Sequence, residues 1–380
     1  AKRPMRNLPF LGVMVVYILT ALLSVLMSDL WMSSSFYVFQ LLRILLVFIA
    51  VASFAGHPVA MRWLAWGLAC GAISQAFLTV NQKLSGAVQA SGSMGHQNLL
   101  GLMLHFVTIP LLALLLAGER SKLIMAGAFS ALTAVALGAS RGSLLFVAIG
   151  ITILVVLSLA RRPTVQKWKI IGLGVLASLV IVPLTLGTLA DRFGEDEIAT
   201  SKDVERQAFE RAAGAMWSDH PMGVGANQYV VTANGGGYSE RAGVIWNYAS
   251  RSAKVHHMYL LAGAETGWFG FFALIALFAW PVMRGLSFAF IRKNDPRGDI
   301  VLGASVAILT TALHGLYEWV WFTSYAQYTF AIALGIIAAS IRVRATQPTR
   351  PVTAHSRRGR QGGISHAGQK GMPGYSQLRG

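Results

Sequence analysis

Ser143 to Ala160 reads SLLFVAIGITILVVLSLA, 18 residues without a charged side chain, bracketed by Arg141 on one side and Arg161-Arg162 on the other. At about 1.5 Å of rise per residue, a helix of this length covers roughly 27 Å, close to the ~30 Å hydrocarbon core of a bilayer. Runs like it recur along the 380 residues, 54% of which are hydrophobic and only 12% charged, with a mean hydropathy of +0.55. Soluble domains carry about 25% charged residues. The bilayer is therefore the solvent, and soluble folds are excluded.

Working outward from that run gives about ten spans, at roughly 10–27, 36–55, 62–80, 97–117, 122–138, 143–160, 169–189, 257–283, 298–315 and 322–341. Counted alternately, one side receives Lys2, Arg3 and Arg6, then Arg62, then Arg120 with Lys122, and then Arg161, Arg162, Lys167 and Lys169. The same side next receives Arg284, Arg292, Lys293 and Arg297, and finally the tail from Arg342. Loops rich in Lys and Arg stay cytoplasmic, which puts both termini there. The fold class expected is an all-α polytopic transmembrane bundle with one long periplasmic loop. Residues 1–189 form its first seven spans, 190–256 the loop, 257–341 the last three spans and 342–380 a basic, disordered cytoplasmic tail. The first apolar run lacks a small-residue cleavage site and reads as a span rather than a signal peptide.

The net charge of +17 would suggest nucleic acid in a soluble protein. Here the cations sit in short loops and the tail, where they set topology and face anionic lipid, so membrane lipid is the expected partner and nucleic acid is not. Cys70 is the only cysteine, which excludes an internal disulfide or a Cys-based metal site, and it is expected to be a small buried apolar residue.

The insert at about 190–256 holds nine of the fifteen acidic residues, roughly balanced by Arg and Lys. A loop this long is usually functional. Thr200 and Ser201 can cap a helix over about 202–218, with Val204, Ala208, Ala212 and Met216 as its apolar stripe. Pro221 follows its end, and Gly223, Gly225 and Gly235–Gly237 form a flexible stretch after it.

Topology gathers His96, the Ser140-Arg141-Gly142 turn, Arg206, Arg211, His256, His257, His314 and Glu318 on one membrane face. The set offers guanidinium groups and imidazoles and no evident metal cage. Arginines bind phosphate oxygens bidentately, and a histidine near neutral pH can take a proton from a hydroxyl, which together suit transfer from a diphosphate to an alcohol. Plainer readings exist for each. Arg141 would anchor at headgroups, Arg206 would pair with Glu205, Glu210 or Asp203, and His256 and His257 would be interfacial polar residues. His96 and His105 would be hydrogen-bond partners between helices, and the Trp and Tyr residues at 317–321 an interfacial aromatic belt.

On a helix opening at His256, Gly263, Gly267 and Gly270 fall within about 40° of that histidine. They read either as tight Gly-x-x-x-Gly packing or as a groove for a polyprenyl chain. Glu265 faces nearly away and is expected to have a buried partner.

These residues resemble the bacterial O-antigen ligase and O-antigen polymerase superfamily. Glu205-Arg206 followed by His220-Pro221-Met-Gly223-Val-Gly225 is similar to its Arg…His-Pro-x-x-Gly-x-Gly segment. His256-His257-Met-Tyr259-Leu260 with Glu265-Thr-Gly267 and Gly270 is similar to its His-Asn-x-Tyr-Leu…Glu-x-Gly-x-x-Gly segment. The Ser140-Arg141-Gly142 turn resembles a family arginine turn, and Gly95-His96-Gln-Asn98 is a looser match. His257 stands where the family usually has Asn, which leaves open whether His256 or His257 is reactive.

The resemblance implies a metal-independent, cofactor-free inverting glycosyltransferase of GT-C-like helical fold in the bacterial inner membrane. Its active site would be periplasmic. The donor would be a glycan on undecaprenyl pyrophosphate and the acceptor a sugar of lipid A–core. By position, His256 would activate the acceptor hydroxyl and Arg206 and Arg141 would hold the pyrophosphate, with His257, Arg211, His96 and His314 as secondary candidates. The family's usual twelve or so spans imply that an N-terminal pair precedes Ala1. O-antigen ligase is the expected activity; O-antigen polymerase and pilin oligosaccharyltransferase remain open. A lipid-linked glycan flippase is disfavoured because the span interiors, Glu265 apart, are nearly free of ionisable groups.

Overall fold

Backbone N–H and C=O groups in hydrocarbon have no water to bond, so each apolar run must satisfy them internally as a helix. The computed structural model describes residues 8–176, 179, 196–248 and 250–345, and among them there is no strand. The helices are α1 (Leu11–Val25), α2 (Trp31–Phe54), α3 (Pro58–Leu84), α4 (Gln97–Leu116), α5 (Lys122–Gly138), α6 (Arg141–Arg161) and α7 (residues 165–176). They continue with α8 (Asp196–Asp219), α9 (Tyr229–Gly235), α10 (Tyr238–Arg241), α11 (Met258–Ile291), α12 (Arg297–His314) and α13 (Ser324–Ala345). Nine of the ten expected spans are helices here, and the run at 169–189 starts within α7 and passes outside the described residues. The expected tail lies outside them from residue 346.

Six helices (α2, α3, α4, α6, α11, and α13 over Ser324–Val343) are long and apolar enough to cross a membrane, judged by length and composition. α1 and α5 are apolar but have 15 and 17 residues, and α12 has 18 with Arg297 and Asp299 in its first turn. The chain is a multi-pass helical membrane protein. Its centre is α4 and α13, the most enclosed of the six. At one side α3 and α5 approach closely through small residues: Ala65, Ala69, Ala72 and Ala76 meet Ala128, Ala131 and Ala134. A Cβ on Gly127 would strike the Ala69 backbone. Cys70, expected to be buried, is exposed on α3, because the buried stripe of that helix is the alanine row one residue before it.

The end of the bundle carrying Arg161 is more than a set of topology charges. Arg161 is buried between α6, α11 and α12, with its guanidinium 2.6 Å from the Asp299 carboxylate. It also donates to the carbonyls of Ala289 (2.9 Å) and Asp295 (2.7 Å). Arg162 adds a 3.5 Å contact to Asp299, and Lys167 donates to the carbonyls of Ser158 and Arg162. The span interiors, read as nearly free of ionisable groups apart from Glu265, hold at this end an equally enclosed acid, Asp299, which is tolerated because Arg161 neutralises it.

α11 is broken. Gly267 takes φ 65°, ψ −166°, outside any helical region and in a conformation reserved for glycine. The loop segment Pro221–Gly225 lies against the break, with Gly223 and Gly225 also at positive φ. The strap and helix exchange three backbone hydrogen bonds: Val224 N–H to Ala264 O, Gly225 N–H to Glu265 O, and Trp268 N–H to Pro221 O, at 3.0, 2.9 and 3.0 Å. The Glu265 carboxylate accepts the Tyr229 N–H (3.2 Å) at the start of α9, which is its expected buried partner. α8 docks on the same half of α11 through Ala208, Ala212 and Met216, all buried as expected. Val204, placed in that stripe by periodicity, is exposed, and α8 begins at Asp196, so Thr200 and Ser201 lie inside it and do not cap it.

Of the two readings of Gly263, Gly267 and Gly270, close packing holds and the open groove does not: Trp217 of α8 fills the space over Gly263, the Pro221–Met222 backbone covers Gly267, and Thr266 occupies that of Gly270. The belt at 317–321 also divides. Tyr317 is exposed, but Trp321 is buried among Tyr17, Phe278 and Phe330.

Asp299→Ala leaves Arg161 charged, buried and unpaired, a change that costs about 3–5 kcal/mol. Thermal unfolding of the purified protein in detergent should show a marked loss of stability. The apolar pair Arg161→Met with Asp299→Leu should recover much of it.

Candidate active site

Four distant segments meet at the opposite end of the bundle around the carboxylate of Glu318, in the turn after α12. Asn98, in the first turn of α4, donates its side-chain N–H to Oε1. Arg206 of α8 places Nη2 3.7 Å from the same oxygen. His256 places Nδ1 3.2 Å from Oε2. The Glu318 side chain is 6% exposed, whereas those of Arg206 and His256 are 32% and 30% exposed, so the acid is enclosed and its two cationic or basic partners face outward. At 3.7 Å, Arg206 and Glu318 form an ion pair without a hydrogen bond, which leaves the guanidinium fork free to bind elsewhere.

Local structure holds each group in place. The Met258 N–H donates to Gly315 O (2.7 Å) and the Tyr259 hydroxyl to Ala312 O (2.8 Å), which ties the start of α11 to the end of α12. His256 precedes the helix and is not on it, so the rotation argument made for a helix opening at His256 does not apply. His257 is the N-cap residue of α11, with Nδ1 accepting the Leu260 N–H at 3.2 Å. Of the two histidines, the structure brings His256 to the cluster and employs His257 as a cap. Among the described residues the ion-pair partner of Arg206 is Glu318, not Glu205 or Glu210 of α8; Asp203, the third partner of the plainer reading, has a side chain outside them.

His96 caps α4 through Nδ1, accepting the Asn98 N–H at 3.2 Å, and lies close enough to Glu318 and His256 to interact with both electrostatically. His314 sits deeper, fully buried, with Nδ1 3.0 Å from His105 Nε2 and its ring stacked on Phe146 at 4.7 Å. Its Nε2 faces Gly142, where a Cβ would lie 3.1 Å away, so the Arg141 turn abuts the cluster through His314. Arg141 is exposed and opens α6 behind Ser140, whose hydroxyl accepts the Ser143 N–H. Arg211 is not brought to the cluster; it donates to Ala242 O at 2.9 Å, beside α10.

The residue that sequence reasoning left without a role is Glu318. Its signal was there: an acid one helical turn after His314, between Tyr317 and Trp319, at the mouth of an apolar bundle where an unpaired carboxylate is expensive. Among the described residues, no three His, Cys, Asp or Glu side chains converge as a metal site requires.

Both capping histidines accept a backbone N–H on Nδ1, which only the neutral ring can do. Burial pushes His96 and His257 below the usual histidine value of about 6.5, with Glu318 opposing the effect at His96 and Glu210 at His257. Between those lowered values and about 6.5 the unfolded chain holds more protons than the folded one. The caps' contribution is thus complete above about pH 6.5 and is lost as the pH falls below it. The melting temperature in detergent should drop between pH 7 and 5, and drop less in the double variant His96→Asn, His257→Asn, whose caps do not titrate.

No curated protein matches the chain. Residues 126–275 match the family model described as O-antigen ligase, a stretch containing Arg141, Arg206 and His256 but not Asn98 or Glu318. That stretch gives the chain its similarity to the O-antigen ligase and O-antigen polymerase superfamily.

Proposed function

We propose that this protein is an O-antigen ligase of the bacterial inner membrane. It would move O-antigen polysaccharide from undecaprenyl pyrophosphate to a sugar hydroxyl of lipid A–core on the periplasmic face. The observation that carries this reading is the junction at Glu318, where an arginine and a histidine from separate segments share one enclosed carboxylate and both remain partly exposed.

The geometry supports an inverting displacement in one step. An ionised carboxylate only accepts, so Glu318 accepts a hydrogen bond from the His256 Nδ1–H and leaves the Nε2 lone pair available to the acceptor. The acceptor hydroxyl gives its proton to Nε2 as its oxygen bonds to the anomeric carbon. The bond from that carbon to the phosphate oxygen breaks, and its electron pair leaves on undecaprenyl pyrophosphate. Glu318 stabilises the imidazolium that forms, as a carboxylate behind a catalytic histidine does. Arg206, with Arg141 from the neighbouring turn, binds the diphosphate and lowers the cost of its growing charge. No metal takes part in this scheme.

Reconstitution with undecaprenyl-linked O-antigen and rough lipopolysaccharide tests it directly. Product on lipid A–core, unaffected by EDTA, is the expected result; longer lipid-linked chains instead would mean a polymerase. His256→Ala should lower kcat by about 10²–10⁴-fold with donor binding retained. Arg206→Ala should weaken donor binding and transfer together, by about 1.5–3 kcal/mol for a charge-assisted contact. Glu318→Gln should depress kcat more than it raises KM. Full transfer by a folded His256→Ala protein would remove the histidine from the mechanism.

A further inference from the structure

Ahead of His256 the chain shows an unusual surface. Ile245, Trp246 and Tyr248 are 75%, 66% and 80% exposed, three large apolar or aromatic side chains within four residues. The segment is preformed. Ser250 accepts the Asn247 N–H on its hydroxyl (2.8 Å) and donates that hydroxyl to Ile245 O (2.7 Å), while the Ser250 N–H returns to Asn247 Oδ1 (2.9 Å). A tight turn of this kind holds its side chains outward against the pull to bury them. Free exposure of so much apolar surface in water is unfavourable.

The charge around it is one-sided. Arg241, Arg251 and Lys254 flank the turn, and there is no Asp or Glu from Arg241 to Ala264, the nearest upstream acid being Glu240. The Arg251 guanidinium lies 4.3 Å over the Tyr248 ring. Lys254 lies 5.1 Å over Trp319, next to Glu318, which fixes the far end of the segment to the end of the bundle where α11 and α12 meet. An apolar tip with aromatic rings and a cationic rim, a few residues from the start of a span, has the chemistry of a lipid interface. A glycan platform would use the Trp and Tyr faces, but would gain nothing from Ile245 or from an acid-free run of cations.

We propose that residues 244–248 form an interfacial anchor. Ile245, Trp246 and Tyr248 enter the headgroup boundary of the leaflet on the Glu318 side, and Arg241 and Arg251 meet the phosphates of anionic phospholipid there. The anchor would hold the loop that bears Arg206 and His256 down at the membrane surface. This stands independently of the transfer reaction.

The test uses the full chain in nanodiscs, with Cys70→Ser as background and Trp246→Cys carrying an environment-sensitive NBD label. Ser218→Cys on exposed α8 and Phe129→Cys on the exposed face of α5 serve as references. In phosphatidylglycerol-containing discs, lipid bearing a shallow nitroxide should quench the 246 label at least twofold more than the 218 label, and iodide should quench it less. Discs of phosphatidylcholine alone should weaken the nitroxide effect. A label at 246 that iodide quenches as freely as at 218, with no nitroxide effect, overturns the anchor, as does protection from iodide by soluble glycan alone. The same measurement with Tyr248→Cys guards against a local effect of the label. Nitroxide quenching equal in both lipid compositions would overturn the role given to the arginines.

Discussion

An enclosed carboxylate at the mouth of an apolar bundle has to be neutralised, and Glu318 meets that demand by drawing Asn98, Arg206 and His256 to itself. The requirement shapes the whole end of the molecule. It needs α4 to begin beside the α12 turn, α8 to bring Arg206 within reach of the acid, and the chain before α11 to turn His256 toward it. A low local dielectric makes each of these contacts stronger than it would be in water, and makes their absence costlier.

The break at Gly267 is the counterpart of that cluster in the backbone. The first turns of α11 carry His256 at their head and are bonded to the strap at 221–225, to α9 through Glu265 and to α8 through Trp217. The helix bearing Arg206 and the segment bearing His256 therefore share one packed unit rather than meeting across a flexible loop. Glycines at 223, 225 and 267 permit this, because a side chain at Gly223 or Gly267 would collide with the facing backbone. The residues that resemble a family motif are thus read structurally as a splice between loop and span. At the far end of the bundle, Arg161 and Asp299 make a second buried polar contact that locks α6, α11 and α12 together.

Much of this was legible in the residues. Apolar runs dictated helices and a bilayer, and the alternation of basic loops gathered Arg141, Arg206, His256 and Glu318 at one end before any contact was known. Short-range patterns carried less far. A period of 3.6 placed the Ala208, Ala212 and Met216 face correctly but misjudged Val204. It also left the glycines of α11 open between packing and a groove, since periodicity sees one helix and not the Trp217 that covers Gly263.

Sequence by itself determined the solvent, the helical class and the end of the bundle where cations and imidazoles collect, because these follow from local hydrophobicity and from charge near span ends. Only the tertiary structure decided that Glu318 joins Arg206 to His256, that His257 is a cap, and that Arg211 lies elsewhere. Those outcomes depend on how separate helices pack. An ion pair between residues far apart in the chain has no periodicity to announce it, only a distance that folding alone sets.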